Sequence, residues 1–130
     1  MARYLLDSDV LIWILRNRRE TVTMADHLVT ESGEAPACSA LSVLEIWGGA
    51  KSTEVSKTAA LLDAMDVVAV TGDIARQAAE LLRTHQRPRG SREWVDAIIA
   101  ATAIHRQLVL VTYNQRDYPY RELTLYPMTS

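Results

Sequence analysis

One cysteine, no phenylalanine and only two lysines stand out among the scarcities of this 130-residue chain, and each narrows what it can be. Cys38 has no partner for an internal disulfide, and with His27, His85 and His105 scattered along the chain it makes no zinc spacing. A reducing, cytoplasmic setting is the expectation. Without Phe, the core must come from Leu, Ile, Val, Ala and a few Trp and Tyr, so Ala-rich helix faces should pack closely. Long hydrophobic runs are also missing. Val10 to Leu15, the longest near the N-terminus, is far short of a membrane span and follows Asp7 and Asp9, so neither signal peptide nor anchor is expected. Nor is there an excess of one charge. Fourteen Lys plus Arg face sixteen Asp plus Glu, a net charge of -2. That argues against a DNA-coating role but leaves nucleic acid open as a substrate.

What is present fits one domain over residues 1–130, with 48% hydrophobic and 23% charged residues. Twelve of the fourteen bases are Arg, whose planar fork suits phosphate, although GC-rich genomes also favour Arg. Short apolar runs alternate with helical stretches. RYLLD (3–7) reads as a strand, followed by a helix closing at Asn17 to Arg19 and a second helix over Thr21–Ser32 that ends at Gly33. Ala35–Ala40 reads as a strand, Ser42–Ala50 and Lys57–Met65 as helices, Val67–Val70 as a strand and Asp73–His85 as a helix. Ser91 can cap a helix running through Gln107, LVLVT (108–112) is the clearest strand, and Leu123–Tyr126 is a weak last one. Strands alternating with helices predict an α/β domain with a mainly parallel sheet, because parallel neighbours need crossovers. Ligands of such sheets sit beyond the carboxyl ends of the strands.

Acids recur at those ends: Asp7 and Asp9 after the first strand, Glu45 in the helix after the second, and Asn114 with Asp117 after LVLVT. Asp96 lies one turn inside the apolar helix SREWVDAIIAATAIHRQ, on a stripe with Arg92, Glu93, Ala100 and Ala103. Its carboxylate should face an opening while the alanines pack. Each residue alone also has a plain structural reading. Asp7, Ser8 or Asp9 can cap the first helix, and Ser42 with Glu45 matches an S-x-x-E capping box. Asn114 and Asp117 can be ordinary turn residues. Asp96 is harder to set aside, because a buried acid needs Arg92 or something outside the helix to neutralise it.

Together the acids make a stronger case. One like-charged pair at about 4 Å costs roughly 4 kcal/mol at an effective dielectric near 20. A hard divalent cation resolves that repulsion, and oxygen-only donors fit Mg²⁺ or Mn²⁺ rather than zinc. Metal-assisted phosphodiester hydrolysis is the reaction such a site suits. Setting aside Asp7, Asp9, Glu45, Asp96 and Asp117 leaves 11 acids against 14 bases, so the remainder carries +3. Arg16, Arg18 and Arg19 form one basic patch, and Arg83, Arg87, Arg89 and Arg92 another; solvated helix ends or contacts along a phosphate backbone would account for either.

LLDSDVLIWILR, SALSVLEIWGGA, WVDAIIAATAI and LVLVTYNQRDYP, in this order, resemble the four motif regions of PIN-domain ribonucleases, especially VapC-type toxins of toxin–antitoxin pairs. The resemblance covers nearly the whole chain. It implies a PIN-like α/β fold with a five-stranded sheet of order 3-2-1-4-5 flanked by helices, and an Mg²⁺- or Mn²⁺-dependent endoribonuclease. It also implies an antitoxin that neutralises the enzyme, and a homodimer. Because the pocket is acidic within a basic rim, the antitoxin is expected to insert an Arg or Lys into it. Carried over by position, Asp7 and Asp96 become the principal metal ligands, Glu45 a direct or water-mediated one, and Asp117 the outer acid supporting a second cation or the water. Ser8, Asp9, Thr112 and Asn114 line the pocket. Asn114 stands where many relatives carry an acid, and Asp9 where Asn is common, so one tightly bound metal is expected. Trp13, Trp47 and Tyr113 are open to contact with RNA bases, the antitoxin, the core or a dimer interface.

Two other readings compete. Asp7-Ser8-Asp9-Val10 after a strand also resembles the first motif of haloacid-dehalogenase-like phosphatases, with Asp7 as nucleophile, but that family needs a Lys opening a later helix and an acidic pair after a later strand. Alternatively, the chain keeps the PIN fold as a non-catalytic module that binds RNA or protein.

Overall fold

The computed structural model describes residues 2–128. Tyr4–Leu6 form the central strand β1, and all three residues are buried. Asp7 turns the chain into α1 (Ser8–Leu15), which α2 (Arg19–Ser32) follows. Gly33 ends α2 in the left-handed conformation, φ 69°, a position where a Cβ would be strained. Then come β2 (Ala37–Ser39), α3 (Ala40–Gly48), α4 (Val55–Asp63) and β3 (Asp66–Val68). The chain continues through α5 (Gly72–Thr84), α6 (Ser91–Arg106) and β4 (Val109–Val111).

The sheet has four parallel strands in the order β3-β2-β1-β4. The expected fifth strand is reduced to one parallel bridge, Leu110 to Leu125, beside β4, where the resemblance puts it. Leu110 N donates to Thr124 O at 2.9 Å and Tyr126 N to Leu110 O at 2.8 Å. The ladder goes no further on this side, where Tyr126 O, its next acceptor, takes a hydrogen bond from Gln115 Nε2 at 2.9 Å instead of from β4.

Alternation along the strands divides the core in two. Leu5, Ala37, Val68 and Leu110 pack with α5 and α6, whereas Tyr4, Leu6, Cys38 and Val111 pack on the other face with residues of α1 to α4. Ala97, Ala100, Ala101 and Ala103 of α6 are all fully buried, the close packing expected of a chain without Phe.

Two caps differ from expectation. Ser39, not Ser42, caps α3, its hydroxyl accepting from Leu41 N at 3.1 Å. The helix starts earlier because β2 runs straight into it, so Ser42 lies inside and is free for another partner. Likewise Gly90 is the N-cap of α6, and Ser91 is its first helical residue.

Candidate active site

Parallel strands place their carboxyl ends at one edge, and the expected acids converge there. Asp7, Ser8, Asp9, Glu45, Asp96, Asn114 and Asp117 line one cleft of about 410 Å³, together with Arg92. Thr112, fully buried beneath it, touches Asp7 directly. Thus all eight of the expected site residues sit in the cleft or beneath it, whereas Trp13 and Trp47 do not line it.

Asp7 caps α1 and is held on both oxygens. Its Oδ1 accepts from Ser8 N at 2.8 Å. Its Oδ2 accepts from Thr112 Oγ1 at 2.9 Å and Tyr118 Oη at 2.8 Å. Capping and site membership therefore coincide in one side chain. The same phenol lies 3.5 Å from Asp96 Oδ1, so Asp7 and Asp96 share a neighbour although they are far apart in sequence. Asp9 is spent differently: Oδ1 accepts from Val10 N at 2.8 Å and Oδ2 from Tyr113 N at 2.9 Å. It ties the start of α1 to the loop after β4. Ser8 Oγ donates to Glu45 Oε1 at 2.8 Å and lies 2.9 Å from Ser42 Oγ, so Ser8 of α1 holds the glutamate and Ser42 of α3 steadies Ser8. Arg92 bonds Asp117 Oδ2 at 3.2 Å and not Asp96. Asp96 is left facing acids.

Of the families compared, the PIN domain matches residues 4–122. The chain belongs to the PIN-domain family. Ribonuclease VapC10 of Mycobacterium tuberculosis is 36% identical over 119 residues, 91% of this chain and 87% of that one. Ribonuclease VapC19 of the same organism is 31% identical over 115 residues, 88% of this chain and 91% of that one. Among solved structures, a toxin–antitoxin complex from Klebsiella pneumoniae superposes with a TM-score of 0.74 at 25% identity, covering 96% of this chain and 99% of the other.

Membership assigns the Asp7-Ser8-Asp9 turn to a PIN domain rather than to a phosphatase. Asp9 accepts one backbone amide on each oxygen, so it serves here to tie the turn to the loop after β4. Electrostatics show what the PIN-domain site lacks. Burial, then the charge of Asp7, pushes Asp9 up to about 6. Burial, then Asp7 and Asp117, pushes Asp96 up to about 6, against a smaller opposing pull from Arg92. Burial and the surrounding carboxylates raise the Tyr118 phenol, which stays a donor. Among the described residues, no three His, Cys, Asp or Glu side chains form a ready-made cage for a cation. Donors already engage Asp7 and Asp9 on both oxygens, whereas Asp96 has only the 3.5 Å contact with Tyr118. An all-oxygen set short of counter-charge fits an oxygen-preferring divalent cation.

The raised acids give a prediction with a definite sign. Between about pH 4 and 6 the folded PIN domain holds protons that the unfolded chain has released, so without metal its stability rises as pH falls from 7 toward 5. Solvent screening at these half-buried groups limits the gain to about 1 kcal/mol each. Thermal melts in chelator should therefore move upward by several degrees on acidification. A melting temperature that falls steadily over that range would contradict the crowding of these acids.

Sequence reasoning missed Tyr118 and the role of Ser42. Tyr118 directly follows Asp117, within a quoted motif, but nothing local shows that its hydroxyl reaches Asp7, 111 positions away. A tyrosine between an acid and a proline beyond a site strand was the available signal.

Proposed function

We propose that this chain is the endoribonuclease toxin of a toxin–antitoxin pair, hydrolysing RNA phosphodiester bonds with the aid of Mg²⁺ or Mn²⁺. One observation carries the reading. Carboxylates from four separate segments line one cleft, with Arg92 as the only base among its lining residues. The ribonuclease names of the relatives, each aligned over most of this chain, point the same way.

Asp7 and Asp96 would hold the cation, Glu45 directly or through water, with Asp117 as the outer acid. When bound, a divalent cation neutralises phosphate charge and makes water a stronger nucleophile at neutral pH. In the hydrolysis, the water oxygen forms a bond to phosphorus, the P–O bond to the leaving ribose oxygen breaks, and that oxygen ends protonated. Glu45 and Asp117 flank the cleft from opposite elements, where a carboxylate can accept the water's proton. Tyr118 and Thr112 fix the Asp7 carboxylate so that its orientation is set before substrate arrives. Arg92, at the rim, offers a cation to a neighbouring phosphate. One tightly bound metal suffices for this arrangement, as Asn114 adds no charge and Asp9 is engaged by amides.

The partners follow from neighbouring surfaces. A second groove, lined by Leu15, Gly49, Ala50 and Lys57 among others, shares Ile12 and Glu45 with the acidic cleft. Leu44 and Trp47 are exposed on the adjoining helix α3. An antitoxin segment lying there could deliver an Arg or Lys onto the carboxylates. Trp94, 52% exposed, stands at an apolar groove between α5 and α6, which we assign to a second copy of the chain. Among the described residues no helix is long and apolar enough to cross a membrane.

The test is cleavage of single-stranded RNA by protein freed of any partner. Cutting should require Mg²⁺ or Mn²⁺, stop in chelator and return when either ion is restored. Equal cutting with and without chelator would defeat the metal-dependent reading. A trapped phosphoryl adduct on Asp7 would instead favour a phosphatase, and RNA binding without cutting a non-catalytic module.

A further inference from the structure

Beside the acidic cleft, on the far side of the turn that carries Asn114 to Asp117, lies a second opening of about 550 Å³. Arg92, Asn114 and Asp117 line both, so the two form one trough. The lining changes character along it. The first stretch is acidic, whereas the second has Tyr113 and Arg116 on its walls. Arg116 is exposed and has no ion-pair partner among the described residues.

Tyr113 is built as a fixed surface. Its hydroxyl lies 2.6 Å from Oγ1 of Thr21, which is fully buried, and its backbone N–H donates to Asp9 Oδ2 at 2.9 Å. The Arg18 guanidinium, which does not line the opening, lies over the ring at 5.1 Å from its centroid and 4.6 Å from that of Trp13, so a stacked base takes the opposite face of Tyr113. The Gln115 side chain is also tied down, donating to Tyr126 O at 2.9 Å. A ring held at its hydroxyl, its backbone and by a neighbouring cation cannot swing aside when a flat group is laid on it. Such a ring next to an unpaired arginine has the chemistry of an unpaired nucleotide's site: stacking for the base and positive charge for its phosphate.

Building on the RNA-cleaving reading above, we propose that this opening is a nucleotide subsite. It seats one unpaired RNA base on Tyr113 and the adjoining phosphate on Arg116, one step along the strand from the phosphate being cut. Single-stranded RNA is then preferred to duplex, whose stacked bases cannot reach the ring. Tyr113 and Arg116 act on binding and register, not on the bond being broken.

Steady-state cleavage of a ten-nucleotide single-stranded RNA, compared with hydrolysis of bis(p-nitrophenyl) phosphate, tests the subsite; the small diester has no base to seat. Arg116→Ala and Tyr113→Leu should each raise KM for RNA about tenfold while kcat stays within about twofold. Both should hydrolyse the small diester at the parent rate, which also shows that they are folded. Arg116→Lys, which keeps the charge, should stay close to the parent on RNA, and Tyr113→Phe, which keeps the ring but loses its tie to Thr21, should fall between the parent and Tyr113→Leu. The salt dependence of RNA binding should lose about 0.7 of a unit in log–log slope in Arg116→Ala, the contribution of one single-strand phosphate contact. Parental KM values in both Arg116→Ala and Tyr113→Leu would overturn the subsite while leaving the nuclease standing. A parent protein that cuts neither substrate with metal present would remove the nuclease reading and the subsite with it.

Discussion

Replacing Asp96 by Asn is expected to slow RNA cleavage at least about 100-fold while making the metal-free protein more stable. Asn keeps the shape of the side chain but loses the charge a divalent cation needs. The same charge strains the apo site, since Asp96 is crowded by Asp7 and Asp117 with little help from Arg92, which is bonded to Asp117. Removing it should raise the melting temperature in chelator by a few degrees, on the order of 1 kcal/mol after screening. Stability and activity thus move in opposite directions, which a simple folding defect cannot produce. Calorimetric melts in chelator beside single-turnover cleavage would measure both. A variant that cuts RNA like the parent would remove Asp96 from the site.

Thr112→Val should be costly for stability and activity alike. The Thr112 hydroxyl donates to Asp7 Oδ2 at 2.9 Å and accepts from Asn114 N at 3.1 Å, and the residue is fully buried. Valine fills nearly the same volume but takes one donor from the buried Asp7 carboxylate and the acceptor from the Asn114 amide, at a cost of about 1–3 kcal/mol. Asp7 then depends on Tyr118 and the Ser8 amide alone, and lost orientation of a ligand through its supporting shell costs about tenfold in metal affinity or rate. Urea denaturation and cleavage at saturating metal would resolve the two effects. Unchanged stability together with an unchanged rate would show that this hydroxyl neither supports nor orients Asp7.

What could be read from the residues was mostly local. LVLVT identified β4 because a β-branched apolar run bounded by polar residues has few other uses, and the acids stood out because parallel strands must end at one edge. The stripe along α6 correctly sent Ala100 and Ala103 into the core and left Asp96 half-buried at the cleft. Long-range hydrogen bonds were not legible. Ser42 looked like a cap because S-x-x-E is a local pattern, whereas its actual neighbour, Ser8, is 34 positions away. Tyr118 was hidden for the same reason. Asp9 was expected to line the pocket; that both its oxygens are taken by amides, one of them beyond β4, only the fold shows. The fifth strand shrank to a bridge where the Gln115 side chain takes Tyr126 O, the next acceptor of its ladder, a contact that no local pattern shows.

A crystal of the protein soaked in Mn²⁺, with anomalous scattering recorded, would locate the cation itself. The peak should lie about 2.0–2.4 Å from a carboxylate oxygen of Asp7 and one of Asp96, and should vanish in Asp96→Asn. Manganese bound elsewhere, or a cleft that stays empty at concentrations supporting RNA cleavage, would contradict a site built by those two carboxylates.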